Sequence, residues 1–460
     1  MADLDGLLQT VAERVAAYRA SLPDRPVHAA HDVDQVRAVL GGPLPAGPTA
    51  AADVIAQLVA AAEPGLAATA GPRFFGFVVG GALPAATAAD MLAAGWDQWA
   101  FNASVSPATA AAELVAGDWV KGLLGVPDTA SIGFVTGAQA ANTVGLAAAR
   151  HLVLADGGWD VEARGLHGAP PVRVVASDER HATVDRSLRL LGLGNDAVAP
   201  VRTDGNGAID VEDLARVLDE VSAGAGAPPI VALQAGNVNT GACDDLRTAV
   251  DLAHRHGGWA HVDGAFGLWA AASPALRHLV DGVELADSWG CDAHKWLNVP
   301  YDSAFALCAR PEVQAASMAL TAAYLTAPSA SPGLAELTAE ASRRARGFAV
   351  WAALRELGSE GLADLVERCC ALARRFADGL AAGGAEICND VVLNQALVGF
   401  GDDERTDRII AGVQQDGTCW LGGTTWHGRR LMRVSVSDHS TTEADVDRSV
   451  AAILRVAASA

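Results

Sequence analysis

The sequence predicts an α/β protein built on a mostly parallel sheet, and three observations carry that reading. Short apolar runs of strand length recur between about residues 75 and 325: "SIGFV" (131–135), "VRVVAS" (172–177), "PIVALQA" (229–235) and "WAHVD" (259–263). Amphipathic helical stretches alternate with them, such as "DLRTAVDLAHRHG" (245–257), which ends at Gly. The chain is 51% hydrophobic over 460 residues, enough for a large core. Strands alternating with helices imply βαβ units and a sheet covered on both faces.

In chain order, residues 1–70 read as helices broken by Pro and Gly ("LPDRP", "GGPLPAGP"), an N-terminal arm rather than a domain. Residues 71–340 form the large α/β domain. Residues 341–460 open with the charged helical stretch "AEASRRARGFAVWAALRELG" and include the short strand "LMRVSVS" (431–437). They read as a smaller α+β domain.

The totals exclude several function classes. A net charge of −21 argues against nucleic acid, which needs basic surface. Seven cysteines, an odd number without a CxxC pair, argue against a disulfide framework or zinc site and suit reduced thiols in the cytoplasm. The amphipathic N-terminus has no signal-peptide layout. No apolar run is long enough to span a bilayer, so no membrane role is expected.

Open α/β sheets bind ligands beyond the carboxyl ends of their strands. After "SIGFV" comes "TGAQAANTVGLAAAR" (136–150), a small-residue turn opening into a helix. Free N–H groups at Gly137, Ala138 and Gln139 would face an anion there. The pattern is not a nucleotide P-loop, which needs a Lys. After "VVAS" comes His181, and after "VALQA" comes the polar loop "GNVNTGACDD" with Thr240. After "WAHV" comes Asp263, and His261, two residues earlier on the same strand face, could orient it. "HRHGGWAH" also admits a metal reading through His254, His256 and His261, weakened by the absence of convergent carboxylates. Finally, "DSWGCDAHKWLNVPY" (287–301) delivers His294 and Lys295.

Lys295 is one of only two lysines, with Lys121, in a chain whose other cations are Arg. An anion cradle, a His, an Asp and a Lys at strand ends suit pyridoxal 5′-phosphate. Its aldehyde condenses with an amine to a Schiff base, which a guanidinium does not do. A carboxylate at the ring nitrogen makes the ring an electron sink.

"HVDGAFG" followed 32 residues after its Asp by the Lys of "DAHKW" resembles the group II pyridoxal-phosphate-dependent amino-acid decarboxylases. These include aromatic-amino-acid and glutamate decarboxylases. The resemblance runs over roughly residues 70–455 and includes "PRFFGF", "SPATAAAELVAGDWV", "SDERHATVDRSLRLLG", "SRRARGFAVW" and "MRVSVSDHSTTEADVDRSV". It implies the aspartate-aminotransferase-like fold (fold type I), with a seven-stranded, mostly parallel sheet in the large domain and a small C-terminal α+β domain. It also implies a homodimer and decarboxylation of an L-amino acid to an amine. Carried over by position, Lys295 would form the Schiff base and Asp263 would pair with the ring nitrogen. His181 would stack on one ring face and Ala265 on the other. Thr136, Gly137, Ala138, Gln139, Thr240 and His294 would complete the cofactor site. Arg343 and Arg344 match the Arg pair beyond the family's mobile loop.

The sequence departs from the family in two places. The loop 326–341 lacks the Tyr that relatives use to protonate the carbanion, leaving Tyr324 and Tyr301 as substitutes. Without that acid, an aldehyde synthase, a carbon–carbon lyase or an aminotransferase is the alternative. Asp292 stands where many relatives carry Asn near the phosphate. Arg433 has two readings, as a clamp for the substrate carboxylate or as a structural residue. Phe74, Phe75, Trp96 and Trp99 would suit an aromatic substrate if they border the entrance.

Overall fold

The computed structural model describes residues 4–101, 103–320 and 333–460. Three helices come first along the chain: α1 (Leu4–Ser21), α2 (Val33–Leu40) and α3 (Ala51–Ala62). Neither α1 nor α2 buries a single residue, so both lie on the surface of the chain. Two longer helices, α4 (Pro84–Trp96) and α5 (Pro107–Leu124), lead into the large sheet.

That sheet contains β1 (Ser131–Val135), β2 (Val174–Ser177), β3 (Val198–Val201), β4 (Ile230–Gln234), β5 (Trp259–Asp263), β6 (Ser288–Asp292) and β7 (Ala304–Cys308). Its order is β1-β7-β6-β5-β4-β2-β3, seven strands as the resemblance implies. Only β7 runs antiparallel to its neighbours. The covering helices are α6 (Ala138–Ala155), α7 (Val161–Arg164), α8 (Ala182–Leu190), α9 (Val211–Ser222), α10 (Leu246–Arg255) and α11 (Pro311–Met318). Every residue of β4, β5, β6 and β7 is buried, as strands covered on both faces must be.

The long helix α12 (Gly347–Ala382) packs on α4 and α5 and reaches the C-terminal part of the chain, bending where Gly358 takes φ 62°. Beyond it a four-stranded antiparallel sheet is ordered β10-β11-β9-β8. Its strands are β8 (Glu386–Ile387), β9 (Gln395–Gly399), β10 (Gly422–Trp426) and β11 (Arg429–Ser435). Helices α13 (Asp403–Asp416) and α14 (Glu443–Ala457) complete this α+β unit.

Local chemistry explains where the helices start. Asp210 caps α9 by accepting from Glu212 N and Asp213 N, and Asp245 caps α10 through Thr248 N. Thr442 opens α14 in a capping box with Asp445. Helix α6 differs, because its N-cap is Gly137 and supplies no side-chain cap. Its first amides are left for another acceptor.

Candidate active site

A cavity of about 280 Å³ opens at the carboxyl ends of the large-sheet strands. It is lined by Gly137, Ala138 and Gln139 from the start of α6, and by His181 and Thr183 at the start of α8. Gln234, Gly236 and Val238 come from the end of β4 and its loop; Asp263, Ala265 and Phe266 come from the end of β5; Asp292, His294 and Lys295 follow β6. Seven of the sequence-derived positions therefore share one cavity with Lys295: Gly137, Ala138, Gln139, His181, Asp263, Ala265 and His294.

Lys295 is held by the turn around it. Asn298, in the left-handed region at φ 55°, gives Nδ2 to Trp296 O (3.0 Å) and Ser437 O (3.0 Å). Its Oδ1 accepts from Gly81 N (2.8 Å) and His439 N (2.9 Å). A Cβ at Gly80 would fall on the Lys295 carbonyl, so only Gly fits beneath this turn. Lys295 Nζ lies 3.0 Å from Asp292 Oδ2.

Asp292 also accepts from the Ala138 amide through Oδ1 at 2.6 Å. The carboxylate caps α6 from across the sheet, the position that the sequence left unassigned. His294 stands beside it. Ser303 N donates to His294 Nδ1 (3.2 Å), so Nε2 carries the ring proton, 3.5 Å from Asp292 Oδ1. Burial pulls the His294 pKa below the usual imidazole value.

His181 is the N-cap of α8. Its Nδ1 accepts from Thr183 N at 3.2 Å. Burial lowers its pKa too, assisted by the positive charges of Lys295 and Arg433. Asp263 accepts at Oδ2 from Asn142 Nδ2 (2.9 Å) and at Oδ1 from Ala265 N (3.3 Å). Gln234 sits directly opposite Asp263 in the parallel register, and its buried Nε2 has no hydrogen-bond partner among the described residues.

Other expected residues lie elsewhere. Thr240 is fully buried outside the cavity, with its hydroxyl given to Asn206 O at 2.6 Å. Thr136 precedes the α6 turn and does not line the cavity. Tyr301 is 57% exposed; its ring stacks on His294, with centroids 4.2 Å apart, and does not line the cavity. Tyr324 lies outside the described residues. His261 does not touch Asp263; it bonds Asn142 and Ser288. His254 pairs with Asp287 and His256 with Ser222, so the three histidines of "HRHGGWAH" diverge. Among the described residues no group of three His, Cys, Asp or Glu could hold a metal ion. Phe74 stacks on Trp420 and Phe75 packs edge-on to Phe376, both in the interior. Trp96 and Trp99 pair with Phe348 and Phe101, and none of the four lines the cavity.

Arg343 makes a buried, bidentate pair with Glu113, at 2.6 and 2.8 Å. It also donates to Phe134 O and Leu334 O, fastening residue 334 to β1. Arg344 bonds Asp90 instead. Arg433, on β11, donates to Val238 O at 3.1 Å and has no acidic partner among the described residues. Burial alone disfavours its charge.

The donor set suits pyridoxal phosphate. The α6 N-terminus and His294 Nε2–H are donors that could face an anion, Asp263 is a fixed carboxylate that could meet a basic ring nitrogen, and Lys295 is the amine in the cavity. A Cβ on Gly137 would come within 3.4 Å of His294, narrowing the cradle. Asp292 is the single like charge in it.

Comparison with known proteins agrees. Residues 35–400 match the family model described as the pyridoxal-dependent decarboxylase conserved domain. The aromatic-L-amino-acid decarboxylase of Bacillus atrophaeus is 29% identical over 308 residues, 66% of this chain and 62% of that protein's length. The 4-hydroxyphenylacetaldehyde synthase of Rhodiola rosea is 26% identical over 405 residues, 84% of this chain and 80% of that protein. A crystal structure of Oryza sativa TDC with PLP and tryptamine superposes with a TM-score of 0.92 at 23% identity, covering 99% of this chain and 98% of that one. The chain belongs to the pyridoxal-dependent decarboxylase family, and is a pyridoxal-phosphate-dependent carboxy-lyase of amino-acid metabolism with the fold type I architecture.

Proposed function

We propose that this protein removes the α-carboxyl group of an aromatic L-amino acid, using the strand-end cavity as its active site. One observation carries the reading: Lys295, Asp263, His181 and the start of α6 converge on a single cavity. The bound cofactor supplies the sink for the electron pair that CO₂ leaves behind. Lys295 Nζ would make the covalent link, and it lies 3.0 Å from Asp292, with which it can share a proton. Asp263 would hold the ring nitrogen, with His181 and Ala265 as the residues to pack on the ring. The amides of Gly137 and Gln139, with His294 Nε2–H, would hold the phosphate, while Ala138 N is committed to Asp292. Arg433, near His181 though not in the cavity lining, has no acidic partner among the described residues and could take a substrate carboxylate. Phe266 supplies an apolar wall.

The aromatic class is supported by the name of the Bacillus relative, and among the described residues the cavity lining contains no Arg and no Lys besides Lys295. We take residues 71–340 and 341–460 as the large and small domains, with the arm before them. A homodimer is supported by the arm. A cavity of about 1000 Å³ between α1 and α3 is walled by Leu7, Val11, Ile55, Leu58 and Val59, an apolar surface that a second copy would cover. All seven cysteines are free thiols, which fits a cytoplasmic protein.

A second reading is favoured by one feature: residues 326–341 contain no Tyr and Tyr301 stands outside the cavity. The reaction would then consume O₂ and water and release the aldehyde, ammonia, H₂O₂ and CO₂. The test is to incubate the holoenzyme with a panel of L-amino acids and measure CO₂, amine, aldehyde and peroxide. Amine and CO₂ in equal amounts support the leading reading; aldehyde with peroxide supports the second. Absence of CO₂ from every amino acid overturns both.

A further inference from the structure

Behind Asp263 runs a chain of buried polar groups in which each role is fixed by its neighbour. Trp259 Nε1, which can only donate, lies 2.9 Å from Ser288 Oγ. Ser288 Oγ is 2.8 Å from His261 Nδ1, His261 Nε2 is 3.1 Å from Asn142 Oδ1, and Asn142 Nδ2 is 2.9 Å from Asp263 Oδ2. An ionised carboxylate only accepts. Asn142 therefore turns its nitrogen to Asp263 and its oxygen to His261. His261 in turn must carry its proton on Nε2 and accept at Nδ1 from the Ser288 hydroxyl. Burial lowers the His261 pKa to about 4, so the ring is neutral near pH 7, as this arrangement requires. Two glycines make room for the chain. A Cβ at Gly145 would lie 2.6 Å from His261 Nδ1, and one at Gly290 would lie 2.6 Å from Asn142 Oδ1. Neither has positive φ, so space rather than backbone freedom accounts for them.

We propose that Asn142 and His261 are positioning residues for the cofactor ring: the chain Trp259–Ser288–His261–Asn142 delivers a fixed donor to Asp263 Oδ2, so that Oδ1, which takes only the longer bond from Ala265 N at 3.3 Å, keeps a lone pair for the ring nitrogen. Without His261 the buried Asn142 Oδ1 loses its donor, and the amide, left with only Asp263 and Thr183 Oγ1 as partners, is placed less firmly and weakens the grip of Asp263. None of the four residues lines the cavity. The inference rests on the reading of Asp263 given above.

The test uses the cofactor-loaded protein and the variants His261→Leu, His261→Gln and Ser288→Ala. Cofactor affinity and the pH midpoint of the visible absorption are measured for each. Protons on the ring nitrogen and on the Lys295 nitrogen repel each other through the conjugated ring. Losing the first raises the pH at which the second leaves. His261→Leu is expected to bind cofactor about tenfold more weakly and to raise the midpoint by about one pH unit. His261→Gln, which restores an N–H near the Nε2 position, returns both toward the parent; a merely structural role would not move the midpoint or be rescued in this way. The other titratable or charged groups, His181, Asp292, His294 and Lys295 in the lining and Arg433 close to His181, are the same in every variant.

Parent values in His261→Leu, or a His261→Gln variant indistinguishable from His261→Leu, overturn the proposal. If His261→Leu does not fold, Ser288→Ala decides. It deletes one oxygen, and a smaller shift in the same direction supports the chain while no shift overturns it. Borohydride fixation of cofactor on Lys295 in the parent separates the two levels. Its failure sinks the active-site reading, whereas success there with unshifted variants sinks only the chain.

Discussion

Breaking the Glu113–Arg343 pair should cost this protein far more than its distance from Lys295 suggests. Both side chains are 3% exposed, and the bonds at 2.6 and 2.8 Å make a two-pronged fork. Burial pushes the Glu113 carboxyl up, and the Arg343 bonds oppose that shift. Removing one partner leaves an uncompensated buried charge, worth about 3–5 kcal/mol. At about 2 cal/mol/K per residue, a 460-residue chain has an unfolding entropy of about 1 kcal/mol/K. Arg343→Met should therefore lower Tm by about 3–5 °C. The double variant Glu113→Leu with Arg343→Met removes both charges and should recover most of the loss, since apolar replacements of buried pairs are often near neutral. Calorimetry on the four proteins of this cycle measures the coupling. Single variants costing under about 1 kcal/mol, or a double variant equal to the sum of the singles, would refute the reasoning. Activity should fall with stability in Arg343→Met, because the same guanidinium fastens Leu334 O and Phe134 O, one strand residue before the α6 turn begins.

Asp292→Asn removes the one like charge from the phosphate cradle. A charge pair at about 5 Å and an effective dielectric of about 20 is worth about 3 kcal/mol. Lys295, 3.0 Å from Asp292, offsets part of it, so cofactor titration should show roughly tenfold tighter binding. Asp263→Asn should keep the cofactor attached to Lys295 but shift its visible absorption and cut kcat by at least about a hundredfold, since a neutral amide does not hold the ring proton. Arg433→Met should raise KM about tenfold or more with a smaller effect on kcat if Arg433 binds the substrate carboxylate, and do neither if it is structural. His254 pairs with Asp287 at 2.9 Å, and that hydrogen bond raises its pKa above 6.5. The resulting stability is fully present below about pH 6.5 and is lost as pH rises through the raised folded-state value. Urea unfolding of His254→Gln should lack that slope.

What could be read in advance followed from local pattern. Asp263 ends a strand whose five residues are all apolar or buried-compatible, and Lys295 breaks a composition that otherwise avoids lysine; both lie in the cavity. The turn at Gly137 was legible because a strand feeding a glycine-started helix has a recognisable order. Asn142 was not, since inside an Ala-rich helix nothing marks which residue faces a strand 121 positions away. Phe74 and Phe75 misled for the same reason: the stacking of Phe74 on Trp420 joins residues from opposite ends of the chain. Thr240 sits in the expected loop, but Asn237 Oδ1 accepts from the amides of Asn239 and Thr240 and winds the loop so that the hydroxyl meets Asn206. Asp292 could be seen as a charge conflict, yet its cap on α6 needed the register of β6 beside β5 to appear.

The central claim is that Lys295 carries pyridoxal phosphate through its side-chain nitrogen. Purified protein reconstituted with the cofactor, reduced with borohydride and digested should yield one cofactor-bearing peptide, modified at Lys295. Label on Lys121 instead, or no label and no visible absorption after reconstitution, would contradict the account.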